Sequence, residues 1–80
     1  MIGLMSITLF PVGPLKIFVG GAERLVLEGK EGKSLEVICQ EIGIPLNLVS
    51  VYLVNGETKT KDHILQAHDE VKIMALVAGG

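Results

Sequence analysis

Cysteine is almost missing from this chain. The single thiol, Cys39, cannot close an intramolecular disulfide, and alone it cannot build a zinc or iron–sulfur site. A reducing, cytoplasmic location fits that usage. Histidine is nearly as scarce, and neither His63 nor His68 has a cysteine or carboxylate partner at a metal-ligand spacing, so both read as ordinary surface or turn residues and no metal is expected. Positive charge is in deficit: seven basic against nine acidic residues leave a formal charge of −2. With no basic run beyond Lys59 and Lys61, a nucleic-acid surface is excluded. Residues 1–19 are apolar but lack a basic leader, and Pro11, Gly13, Pro14 and Lys16 interrupt them, so neither a signal peptide nor a membrane span is expected.

Length is short too. Eighty residues make one small domain, and a chain of that size buries only about 60% of its unfolded surface. Little remains for a deep substrate cleft beside a core, so a self-contained enzyme is not expected. Apolar residues are plentiful at 49%, which argues against disorder.

The order of elements follows from periodicity. Met5, Ile7 and Leu9 alternate with Ser6, Thr8 and Phe10, the pattern of a strand with one buried face. Pro11-Val12-Gly13-Pro14 breaks it, and residues 15–19 form either a short extra turn or part of a strand. Gly20-Gly21 marks a turn and lacks the Gly-Lys-Ser/Thr sequence of a phosphate loop. Residues 23–28 read as a second strand, with Leu25 and Leu27 on one side. Ser34 is a good N-cap, and Leu35, Ile38, Cys39 and Ile42 then form one helical face, with Cys39 a buried apolar thiol on it. Gly43 and Pro45 stop that helix.

Val49, Val51 and Leu53 form the next alternating set, taken here to face the helix. Asn55-Gly56 signals a tight hairpin, because both positions tolerate positive φ. Residues 57–60 form the return strand, and residues 61–67 a loop (Lys61 and Asp62 solvated) carrying Ile64 and Leu65 as plugs into the core. His68-Asp69 turns into the last strand, where Val71, Ile73 and Ala75 alternate with Lys72, Met74 and Leu76. The order ββαβ(β)β yields an α+β fold, a small mixed sheet packed on one helix in β-grasp architecture. A ferredoxin-like fold needs a second full helix, and a small barrel needs no helix at that place.

The sequence closes on Val77-Ala78-Gly79-Gly80. A thin tail ending in two residues without side chains suits a C-terminus that must enter a partner's narrow active site, since no Cβ crowds the last carbonyl. A terminal glycine pair arises by chance in about one chain in two hundred, so its weight depends on what precedes it.

What precedes it resembles the MoaD/ThiS family of ubiquitin-like sulfur carriers over almost the whole length. The resemblance rests on Thr8-Leu9-Phe10, Gly13-Pro14-Leu15, the helix after Ser34, Val54-Asn55-Gly56-Glu57, His68-Asp69-Glu70-Val71 and the closing Val77-Ala78-Gly79-Gly80. It implies one ubiquitin-like β-grasp domain over residues 1–80, with residues 76–80 a flexible tail. It further implies that an E1-like adenylating enzyme uses ATP to convert the Gly80 carboxylate into an acyl-adenylate, and that a sulfur donor protein then replaces AMP to leave a thiocarboxylate. Gly80 is thus the reacting residue, with Gly79, Ala78 and Val77 threading the tail, and no cofactor is bound by the chain itself. Residues 10–21 are similar to the corresponding segment of the small subunit of molybdopterin synthase, which implies sulfur delivery in molybdopterin (molybdenum or tungsten cofactor) synthesis, with the large synthase subunit as partner. Ala75-Leu76 departs from the prolines common there. A thiamine-pathway carrier and a protein modifier joined through Gly80 are the alternatives.

If Val49, Val51 and Leu53 face the helix, then Tyr52 and Val54 face away. The same parity puts Phe10, Met74 and Leu76 on the outer face, and these five make an expected partner-binding patch.

Overall fold

The computed structural model describes residues 6–75. Alternation in the first apolar run places Ile7 and Leu9 on one face of β1 (Ser6–Pro11), where both are fully buried. Gly13-Pro14 ends the ladder after Val12, and the chain winds a 3₁₀ helix over Gly13–Val19. Gly20, at φ +67°, ends that helix in the left-handed region glycine enters without steric cost. The chain then returns as β2 (Leu25–Glu28), antiparallel to β1 and shorter than the expected 23–28.

The helix α1 (Leu35–Ile42) starts where its cap predicts: the Ser34 hydroxyl accepts from the Val37 N–H at 3.2 Å. Gly43, at φ +87°, closes it. Lys30 and Lys33, from the loop before the helix, reach Glu41 in its last turn at 2.9 and 2.7 Å. Hydrogen bonds from Lys30 and then Lys33 hold the Glu41 carboxyl below its ordinary value.

A second 3₁₀ turn at Leu46–Leu48 takes up the residues after Pro45, so β3 begins at Val51 and runs to Val54, leaving Val49 before it. Asn55 (φ +53°) and Gly56 (φ +85°) turn the chain into β4 (Glu57–Lys59). The last strand, β5, spans Glu70–Met74. Sheet order is β2-β1-β5-β3-β4, with β1 and β5 parallel and every other pair antiparallel. The parallel pair at the centre requires a long crossover, and the connection between these two strands holds everything else, α1 included. Leu35, Ile38 and Cys39 of the helix join Ile7, Leu9, Val71 and Ile73 of the sheet in one core. This is the β-grasp arrangement.

Two expectations are corrected. Tyr52 and Val54 do not face away from the helix; both are buried in that core, and Val51 and Leu53 are the outward, half-buried residues of β3. Register is the reason. Tyr52 stands opposite Ile73 and Val54 opposite Val71, and directly opposed residues of an antiparallel pair share a face. Every residue of β3 is apolar, so alternation within the strand carries no information about its inner side. Ile64 is not a core plug either: it is 51% exposed and contributes a backbone bridge to Ser34, while Leu65 alone enters the core.

Candidate functional site

The residues expected from sequence to react and to thread follow β5 in the chain. Gly80, Gly79, Ala78, Val77 and Leu76 lie outside the described residues, so the site can be built as far as Ala75. Two backbone hydrogen bonds anchor that strand end on either side. The Val12 N–H donates to the Ile73 carbonyl at 2.9 Å, and the Ser50 N–H donates to the Met74 carbonyl at 2.8 Å. The root of the tail is therefore held between the end of β1 and the start of β3.

At the other end of β5 the anchor is polar. Asp69, nearly buried, accepts from Asn55 Nδ2 at 2.9 Å through one oxygen and from the Gln66 N–H at 2.9 Å through the other. Asn55 Oδ1 in turn accepts from the Glu70 N–H at 3.0 Å. The Asn55-Gly56 hairpin is thereby fastened to the turn that enters β5, which sets the register that buries Tyr52 and Val54. His63 Nε2 lies 3.7 Å from the second Asp69 oxygen, beyond hydrogen-bond length. His68 sits in the turn at φ +70°.

Of the expected outer patch, Phe10 and Met74 fall on the face away from α1, both half-buried, together with Val51, Leu53 and Lys72. Phe10, Lys72, Leu53 and Thr58 form one row across β1, β5, β3 and β4. Tyr52 and Val54 leave that patch; burial raises the Tyr52 phenol, with smaller contributions from Cys39 and Glu36 beneath it. Val51 and Leu53 take their places. The signal that could have found them was Lys72, whose charge marks the outer side of β5 and, through the register, of β3 as well.

Cys39 is fully buried, and burial pushes its thiol up to about 11. A thiol so placed is neither nucleophile nor ligand at neutral pH. Among the described residues no three His, Cys, Asp or Glu side chains are grouped to hold a metal ion. What the described part offers is a five-stranded sheet whose central strand ends at Met74, six residues before Gly80.

Residues 12–80 match the model of the ThiS family, a match that includes the closing Gly79-Gly80. The chain belongs to the ThiS family. It is accordingly a ubiquitin-like protein of the sulfur-carrier and modifier type, and proteins of that type work with E1-like adenylating enzymes. Among solved structures, the crystal structure of SAMP1 from Haloferax volcanii is similar to this ThiS-family chain, with a TM-score of 0.69 at 16% identity over 94% of this chain and 99% of that one. At that identity the likeness is one of fold, and it shows the ubiquitin-like β-grasp. No curated protein matches the chain. No helix among the described residues is long and apolar enough to cross a membrane.

Proposed function

We propose that this chain is a cytoplasmic sulfur carrier whose Gly80 carboxylate is activated and converted to a thiocarboxylate, and that the sulfur goes to molybdopterin synthesis. The observation that carries the reading is a family match running through Gly79-Gly80 on a fold whose last strand ends at Met74, six residues before Gly80. A free carboxylate is a poor electrophile, because its charge repels nucleophiles and oxide is no leaving group. The partner adenylating enzyme binds ATP; the carboxylate oxygen attacks the α-phosphorus, pyrophosphate leaves, and an acyl-adenylate results. A persulfide on the sulfur donor protein then attacks the Gly80 carbonyl and expels AMP. A thiol reduces the resulting acyl disulfide, releasing the thiocarboxylate. Val77, Ala78 and Gly79 let the tail thread a narrow channel, and Gly80 is the only residue of this chain that changes covalently.

The 3₁₀ segment between β1 and β2 supports the molybdopterin branch, with the large synthase subunit as the protein that receives the charged tail. Phe10 and Met74, joined by Val51 and Leu53, form the sheet surface offered to these partners, and Leu76 follows them in sequence beyond the described residues.

Intact-mass measurement tests the reading. The full chain is incubated with the adenylating enzyme of its own cell, ATP and a sulfur source. A mass gain matching sulfur in place of oxygen, lost when Gly80 is deleted, is the expected result. Attachment to other proteins through Gly80 instead marks a modifier, and an unaltered C-terminus marks neither.

A further inference from the structure

The search for a second feature leads to the tail root itself. A groove of about 320 Å³ opens there between the two 3₁₀ segments, with Pro14, Leu15, Ile17 and Phe18 on one wall, Leu48 on the other and Ala75 in its floor. Asn47 and Ser50 add polar groups to its lining, and two of its apolar residues are exposed: Ile17 shows 74% of its surface to solvent and Leu48 43%. Ile17 is the most exposed of the large aliphatic side chains among the described residues.

Both walls are tied to the strand that bears the tail. Val12, just before the first 3₁₀ helix, donates to Ile73, and Ser50, just after the second, donates to Met74. Both walls are therefore joined to the end of β5. Five residues separate Ala75 from the end of Gly80, and even fully extended they reach roughly 17 Å. A protein that closes around the Gly80 carboxylate must bring its surface within that distance of Ala75, which itself lines the groove.

We infer that this groove is a docking site for the adenylating enzyme, which fills it with an apolar side chain while the tail enters its active site. The inference rests on the carrier reading above and adds a second contact, separate from the outer face of the sheet. Its physical sense is that binding energy is gained beside the tail root, leaving the tail itself free of bulky side chains. Ile17 and Leu48 serve recognition and take no part in the chemistry.

Carrier-dependent ATP–pyrophosphate exchange by the cognate adenylating enzyme provides the test, since it reads adenylation alone. Ile17→Asp and Leu48→Asp should each raise the half-saturating carrier concentration by about tenfold or more, as loss of a central interface contact does. Maximal exchange at saturation should be unchanged, and the fold should persist, because neither side chain belongs to the buried core. Ile64→Asp, intermediate between them in exposure but in the connection that enters β5, should behave as wild type. Wild-type saturation by the two groove variants overturns the proposal. So does a change in the Ile17 and Leu48 methyl resonances of the free protein on deleting residues 76–80, which assigns the groove to the chain's own tail. A wild-type dimer in sedimentation that Ile17→Asp dissociates assigns it to a second copy, with the same consequence. If the wild-type chain supports no exchange at all, the carrier reading itself fails, a result distinct from a defect confined to the groove variants.

Discussion

Leu53 and Val54 are neighbours in sequence and both apolar, yet charge should be tolerated at one and not at the other. Val54 is 3% exposed and stands opposite the fully buried Val71. An aspartate there must either ionise in the core, at a cost of several kcal/mol, or hold its proton at about 1.4 kcal/mol per unit of pKa displacement. At 0.05–0.15 kcal/mol per residue, a chain of 80 residues has about 4–12 kcal/mol of stability in total. Val54→Asp should therefore leave much of the population unfolded at neutral pH. Leu53 lies on the outer face opposite Lys72, so Leu53→Asp gains a cross-strand opposite-charge pair worth about 0.2–1 kcal/mol. That gain offsets part of the half-buried area lost, and the net change should stay within about 1 kcal/mol. Urea unfolding followed by far-UV circular dichroism reads both. Should Val54→Asp fail to fold, Val54→Ala gives a milder comparison: two methyl groups at about 0.8 kcal/mol each plus a small cavity make about 2 kcal/mol. With a slope near 1 kcal/mol/M, that moves the midpoint by roughly 2 M. A Val54→Asp protein with the wild-type midpoint beside an unfolded Leu53→Asp protein would refute the register and the corrected docking face with it.

Two further outcomes follow from the buried polar and thiol groups. Asp69→Ala removes the acceptor of both the Asn55 amide and the Gln66 N–H and should cost about 2–3 kcal/mol; in a double-mutant cycle with Asn55→Ala the two losses should overlap by about 1 kcal/mol, and strict additivity would show that the carboxylate is not what fastens the hairpin to β5. Cys39, with its thiol raised from 9.0 to about 11, should hold only about a thousandth of its population as thiolate at pH 8, so alkylation should be slow in the native protein and accelerate sharply in urea. Because the unfolded chain releases this proton first, the group lowers stability as pH rises above about 9; native-state alkylation at the rate of a free thiol would contradict its burial.

The elements with strong local signals were legible in the sequence. Ser34 and Gly43 bracket a helix because each satisfies backbone groups locally, and Asn55-Gly56 makes its turn because those two residues accept positive φ. Lys72 marks the outer side of β5 in the same direct way. β3 was not legible in this sense. With apolar residues at every position it can present either side inward, and both assignments look equally hydrophobic. Residues 15–19 were ambiguous for a related reason, being apolar but too short and too close to proline to show a period.

The candidate site divides along the same line. Its family signal is a property of the chain alone: Gly79-Gly80 and the motifs before it point to the family without reference to any contact. The groove at the tail root was absent from the sequence reading, because Ile17, Leu48 and Ala75 come from three separate segments and meet only when β1, β3 and β5 are assembled. Local backbone chemistry is written in neighbouring residues, so the sequence by itself determined where the helix and turns stand and which family its motifs point to. Which side of an all-apolar strand is buried, and which distant residues share a surface, depend on pairing between segments far apart in the chain, and only the tertiary structure decided them.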